Sequence, residues 1–70
     1  MEKNQLLVAL GVNIKLIRES KKLSQTDLAY KIGKDQPSIN RLEKGRINPS
    51  YLYLKEVADG LEISINDLLI

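Results

Sequence analysis

Residues 24–45 read SQTDLAYKIGKDQPSINRLEKG, and the fold turns on this stretch. Ser24 can accept a hydrogen bond from a free amide in the first turn of a helix, and Asp27 sits three residues on, a weaker relative of the reciprocal capping box. Leu28, Ala29 and Ile32 then share one helical face, so a helix of about two turns is expected from Gln25 to Ile32. Gly33 follows where a left-handed residue ends a helix. Asp35 is a second cap. Pro37 fits the first turn, where its missing amide costs little. Ile39 and Leu42 mark the inner face of a helix running through Lys44, and Gly45 stops it. The stretch therefore reads as two short helices joined by a tight turn centred on Gly33.

Working outward, Leu7, Leu10, Ile14 and Ile17 recur at spacings of three, four and three, one face of a helix from about Gln5 to Ser20. Val8, Ala9, Val12 and Leu16 lie opposite, where a surface helix is normally polar. Such a second apolar stripe fits a partner surface, and it equally fits scattered exposed aliphatics. Downstream, Asn48-Pro49-Ser50 opens a fourth helix over Tyr51 to Asp59, with Leu54, Val57 and Ala58 inward and Gly60 as its terminator. Ser64 and Asp67 start a last short helix through Leu69. The one strand-like alternation, Leu61 to Ile65, is weak. There are no repeats, linkers or low-complexity stretches. The expected fold is all-α: five short helices in one compact domain over residues 1–70.

Composition narrows the chemistry. The 70 residues contain no Cys and no His, so thiol chemistry, disulfides, the commonest general base and the commonest metal ligand are all missing. The remaining carboxylates, lysines and serines show no spacing that builds a nucleophile–base pair or a metal site. Neither enzyme nor metal site nor cofactor is expected. Charge is unevenly placed. From Lys15 to Arg46 nine Lys/Arg face four Asp/Glu, a net +5, whereas from Ile47 onward one Lys faces four acids, a net −3. A basic middle and an acidic end suit contact of the middle with a polyanion. No apolar run approaches the roughly 18 residues of a membrane span, and Leu6 to Leu10 is too short for a signal-peptide core. A cytoplasmic protein without a membrane or small-molecule partner is expected.

At this point a resemblance becomes specific. The run from Leu10 to Leu69 resembles the Cro and phage-repressor (XRE-type) helix-turn-helix family throughout. Leu23-Ser24-Gln25, Leu28-Ala29, Ile32-Gly33, Ile39, Leu42, Glu43-Lys44-Gly45, Asn48-Pro49-Ser50 and Asp67-Leu68-Leu69 all fall in the family's register. Asp27-Leu28-Ala29-Tyr30-Lys31 also resembles the short controller proteins of restriction systems. The resemblance implies a sequence-specific regulator that binds double-stranded DNA, with residues 24–45 as the helix-turn-helix and its second helix in the major groove.

On a wheel of about 100° per residue, Ile39 and Leu42 set the buried side of that second helix. Pro37, Arg41 and Lys44 then point outward with Asn40 beside them, and Gln36 and Ser38 flank the exposed amino end. Gln and Asn can pair bidentately with adenine and Arg with guanine, so Gln36, Pro37, Ser38, Asn40 and Arg41 are the candidate base readers. Taken without the motif, the same residues would also make an ordinary solvated face. Ser24, Gln25 and Thr26 surround a helix amino end suited to a phosphate, and Lys44, Arg46 and Asn48 suit the backbone on the other side. Lys22 and Lys34 add diffuse attraction or are simply solvated. By resemblance, Gln25 bridges a phosphate and the Gln36 side chain. The resemblance also implies that Arg18 and Glu43, both falling on buried sides, form an ion pair joining the first and third helices; for Arg18 a phosphate contact is the alternative.

One recognition helix reads only a few base pairs, so a symmetric homodimer is expected, with its two helices about 34 Å apart on a palindromic site. Leu69 and Ile70 at the carboxyl end, or the outer stripe with Val8, Val12 and Leu16, are the candidate contacts. The family resemblance points to the carboxyl end. An antitoxin-like or other protein-interaction module is the competing function, and the polar, basic third helix counts against it, because an interaction helix carries apolar anchors.

Overall fold

Each of the five helices begins at a side-chain cap or a capping pair, and four end at a left-handed residue. The computed structural model describes residues 2–69 and contains α1 (Lys3–Ser20), α2 (Gln25–Ile32), α3 (Gln36–Glu43), α4 (Tyr51–Leu61) and α5 (Ile65–Leu68), with no strand among them. Ser24 caps α2 by accepting from the Asp27 amide, and Asp27 returns a bond to the Ser24 amide. Asp35 caps α3 through the Ser38 amide, and Ser50 caps α4 through that of Tyr53.

Gly33 (φ 70°) closes α2 and lets the Lys34 amide reach back to the Ala29 carbonyl at 2.9 Å. That bond makes the turn between α2 and α3 tight. Gly45 (φ 70°) does the same after α3, where Arg46 N donates to Arg41 O at 2.9 Å. The other two left-handed ends are not glycines. Lys22 (φ 60°) follows α1 and Glu62 (φ 60°) follows α4.

Gly60 therefore does not terminate α4 as its residue type suggested. The helix continues to Leu61, and Gly60 is buried within it. A Cβ there would lie 2.5 Å from Ile32 Cγ2 and 3.1 Å from Leu28 Cδ1, so the missing side chain serves the close approach of α4 to α2. The first helix also begins two residues earlier than its apolar spacing indicated, at Lys3.

The core consists of Ile14, Leu28, Ala29, Ile39, Leu42, Val57, Ala58, Leu61 and Leu68, contributed by all five helices. Leu10, Ile17, Leu23, Ile32 and Leu54 cover it partly. α3 lies against α1 and α2, α4 against α2, and α5 against α4 and α1. At the α1–α3 contact Gly11 is buried, and a Cβ on it would strike the carbonyl oxygen of Glu43 and approach that of Leu42 to 2.6 Å.

These obstacles differ in kind. Gly11 faces backbone, which cannot swing aside, whereas Gly60 faces side-chain ends, which can. Gly11→Ala is expected to cost at least the roughly 1–3 kcal/mol of an overpacked core, and to lower Tm by roughly 4–8 °C for each kcal/mol. Gly60→Ala should cost less. Thermal melts followed by circular dichroism check the order of the two.

Candidate nucleic-acid interface

α3 is held by one side only. Ile39, Leu42 and Glu43 are buried, while Gln36, Pro37, Arg41 and Lys44 are exposed and Ser38 and Asn40 are half-buried at the edge. The free face is polar, with Pro37 its one apolar side chain. Arg41 Nη2 donates to Ser38 Oγ at 3.3 Å, a contact along one turn of the helix that leaves the rest of the guanidinium open. Gln36 is the first residue of the helix, inside it despite the proline that follows.

The underside of α3 is tied down by charge. Arg18 and Glu43 are both nearly inaccessible, and they form a two-bond pair: Nε donates to Oε2 at 2.6 Å and Nη2 to Oε1 at 3.0 Å. Arg18 Nη1 also donates to the Leu23 carbonyl at 2.6 Å. The hydrogen bond to Glu43 raises the Arg18 pKa. The guanidinium thus has no surface left for a phosphate, and joins α1, the turn before α2, and α3. Gln25 extends the cluster outward: its Nε2 donates to Glu43 Oε1 at 2.9 Å, and its Oε1 accepts from Gln36 Nε2 at 2.7 Å and Asn40 Nδ2 at 3.3 Å.

At the amino end of α2, Ser24 and Thr26 are exposed. The Ser24 hydroxyl and the Asp27 amide are already paired with each other, and the Asp27 carboxylate occupies the Ser24 amide. The Ser24 hydroxyl only accepts in that bond, so donors for an anion remain in the Ser24 and Thr26 hydroxyls and in the first-turn amides of Gln25 and Thr26, which have no intrahelical partner. Asp27 also brings a negative charge beside them, its pKa held below the usual carboxylate value by the Ser24 amide and hydroxyl. Asp35 is likewise kept ionised by the Ser38 hydroxyl and amide. On the far side of α3, Lys44, Arg46 and Asn48 are all exposed. Lys34 is engaged within the protein, 3.7 Å from Glu56 and 5.4 Å from the centre of the Tyr53 ring.

The outer side of α1 is apolar and open: Val12 is 48% and Leu16 60% exposed, with Leu6, Val8 and Ala9 on the same side. Val8 abuts the Gly45 turn, where a Cβ on the glycine would come within 2.7 Å of its backbone. At the other border of the stripe, Asn13 Nδ2 donates to the Asp67 and Leu68 carbonyls at 3.0 and 2.8 Å. Leu69, 56% exposed, follows directly. These bonds hold the carboxyl end beside α1 at the border of the stripe. Ile70 lies outside the described residues.

Sequence reasoning missed three residues that build this arrangement. Gly11, a poor helix former in the middle of the core-facing stripe, was a readable sign of a close backbone approach. Asn13 gave no signal, because its partners are carbonyls more than fifty positions away. The third is Gln25 in its contact with Glu43, which needs the α2–α3 angle to be known.

The turn geometry, the basic middle and the polar free face of α3 define a helix-turn-helix domain. Residues 14–68 match the family described as Helix-turn-helix (HTH_3), and the chain belongs to that family, one of DNA-binding transcriptional regulators rather than enzymes. The HTH-type transcriptional regulator YqaE of Bacillus subtilis (strain 168) is 35% identical over 57 residues, which cover 81% of this chain and 49% of that protein. The immunity repressor protein of Bacillus phage phi105 is 34% identical over 62 residues, covering 89% of this chain and 43% of the repressor. The chain spans about half or less of the length of these two relatives. Among solved structures, the restriction-modification controller protein C.AhdI from Aeromonas hydrophila superposes with a TM-score of 0.87 at 32% identity, over 89% of this chain and 94% of the other.

Arg18→Ala would leave the Glu43 carboxylate buried with Gln25 as its one side-chain donor. Breaking a buried pair from one side typically costs about 3–5 kcal/mol, which is a large share of the stability of a domain this small. A cooperative melt shifted far below that of the wild type, or lost altogether, is the expected outcome. A melt within a few degrees of the wild type would contradict the role given to the pair.

Proposed function

We propose that this chain is the DNA-binding unit of a transcriptional regulator, that α3 reads base edges in the major groove, and that two copies act as a symmetric dimer on a palindromic operator. The observation that carries the reading is the division of α3: its core-facing residues are anchored, and its free face carries hydrogen-bonding and cationic groups almost without apolar atoms. Gln36 and Asn40 are the adenine-reading candidates and Arg41 the guanine-reading one. Ser38 adds a hydroxyl, and Pro37 can touch a thymine methyl. The Ser24 and Thr26 hydroxyls, the Gln25 and Thr26 amides, Lys44, Arg46 and Asn48 flank this face as phosphate contacts, the Ser24 oxygen accepting its capping bond while its O–H serves as a donor. No helix among the described residues is long and apolar enough to cross a membrane, and the proposed working place is the cytoplasm, on the nucleoid.

For the dimer, the apolar face of Val12, Leu16 and Leu69 is the proposed contact with a second copy. The bonds of Asn13 to α5 bring the exposed Leu69 to the side of α1 that carries the stripe, which supports one shared interface, and a two-fold contact of identical patches is the commonest form of small oligomer.

Selection of bound duplexes from a random-sequence pool tests the function. The expected result is a palindromic site with half-sites about one DNA turn apart. Affinity for it should fall with salt, at a slope of about −0.9 per phosphate contacted. Arg41→Ala should relax preference at one position by roughly 1–3 kcal/mol, whereas Arg46→Ala should weaken all sequences alike. Recovery of no sequence, with affinity flat in salt, would favour the protein-interaction module instead.

The interface has its own readout. Leu16→Ser and Leu69→Ser should each shift light-scattering mass toward the monomer and reduce cooperative binding while leaving the circular dichroism spectrum unchanged. A dimer untouched by both would place the contact elsewhere.

A further inference from the structure

The amide of Gln25 stands between the buried ion pair and the outer face of α3, and its two ends are not interchangeable. Its nitrogen faces Glu43 Oε1 at 2.9 Å, while its oxygen faces the nitrogens of Gln36 at 2.7 Å and Asn40 at 3.3 Å. An ionised carboxylate only accepts hydrogen bonds. Gln25 can meet Glu43 with its NH2 group alone, because the reverse orientation would set oxygen against oxygen. Glu43 cannot relax this demand, since Arg18 holds both of its oxygens, at 2.6 and 3.0 Å. The Gln25 oxygen is thereby forced outward, and it in turn demands donors from Gln36 and Asn40. Donation runs in one direction, from the surface amides through Gln25 to the buried charge.

We infer that Glu43 is a positioning residue for base selection: through Gln25 it fixes which end of the Gln36 and Asn40 amides is donor and which is acceptor. The inference rests on the groove-reading role proposed above for α3. Each of the two surface amides gives one N–H to Gln25 and keeps its carbonyl oxygen and its other N–H for a ligand. An adjacent donor and acceptor in a set order match the N7 acceptor and N6 donor of adenine. Turning the amide over would oppose acceptor to acceptor and donor to donor. An unrestrained glutamine samples both orientations, whereas a chain ending on a buried carboxylate admits one. Glu43 thus acts on a base it never touches.

The direction of the chain can be reversed and then restored. In Glu43→Gln, the one remaining oxygen stays with Arg18 Nε, the closer of the two Arg18 contacts at 2.6 Å, and the NH2 group takes the Oε1 place, against both Gln25 and Arg18 Nη2. The Gln25 amide must then flip, and the flip passes to Gln36 and Asn40. Adding Gln25→Glu returns an obligate acceptor to position 25, so both surface amides again donate inward. The full chain is first used to select a site from a random-sequence duplex pool. Each variant is then measured by competition between that site and its single-base substitutions. Glu43→Gln, if folded by circular dichroism, is expected to lose about tenfold or more of the discrimination at the positions read by Gln36 and Asn40. The double variant is expected to recover most of that discrimination, although its added negative charge weakens binding to every sequence. Gln25→Met leaves the Arg18–Glu43 pair in place and decides the matter where Glu43→Gln does not fold. It should melt close to the wild type and lose discrimination at the same positions. Wild-type base preference in folded Glu43→Gln or in Gln25→Met would overturn the inference, as would a double variant no more selective than the single one. A wild-type chain that selects no site would instead overturn the groove-reading function beneath it.

Discussion

A carboxylate removed from water must be met by donors on every side, and in this domain Glu43 imposes that demand. Its oxygens are satisfied by Arg18 from α1 and Gln25 from α2, while the residue itself belongs to α3. Three helices are thereby fixed by one charge, and the geometry cannot slide without stranding it. Hydrophobic contacts alone would not be so exacting, since Ile39 and Leu42 could repack at modest cost. The pair itself adds little net stability over apolar substitutes of the same volume. Its contribution is to orientation. Gly11 makes the arrangement possible: only without a side chain at that position can α1 come close enough to the last turn of α3 for Arg18 to reach.

Much of this fold was legible in the sequence because short helices depend on their ends, and ends have chemical signatures. Ser24, Asp35 and Ser50 cap as their residue types suggest, and Gly33 and Gly45 take the left-handed positions. Where the signature was absent, the reading slipped. α4 ends at Leu61 and is capped by Glu62, a residue that adopts φ 60° against its preference, and so Gly60, two residues before the cap, looked like the stop. The two kinds of glycine serve different needs, one a backbone conformation and the other a close approach, and the letter alone does not separate them. The bond between the Ile63 amide and the Ala58 carbonyl at 3.0 Å holds the Glu62 turn without glycine.

The candidate site was legible unevenly, for a related reason. Which residues of α3 face outward follows from helical periodicity, so Gln36, Pro37, Arg41 and Lys44 could be placed on the free face from Ile39 and Leu42 alone. Contacts between helices depend on crossing geometry that periodicity does not contain. The link of Asn13 to the last carbonyls of α5, and of Gln25 to Glu43, belong to that second kind. The same limit hid the bonds that tie the carboxyl end back to α1.

The one-sided anchoring of α3 also bears on how such a domain can diversify. Pro37, Arg41 and Lys44 stand clear of the core, so replacement at these positions leaves Ile39, Leu42 and Glu43 in place and costs the scaffold little. Gln36 and Asn40 are different, because both are bonded to Gln25, which is bonded to a buried charge. A change at either disturbs a set of four side chains. Descendants of this sequence should therefore alter the first group singly and freely, and the second only in concert. One helix would then hold both a readily rewritten part of its recognition surface and a part that drifts slowly.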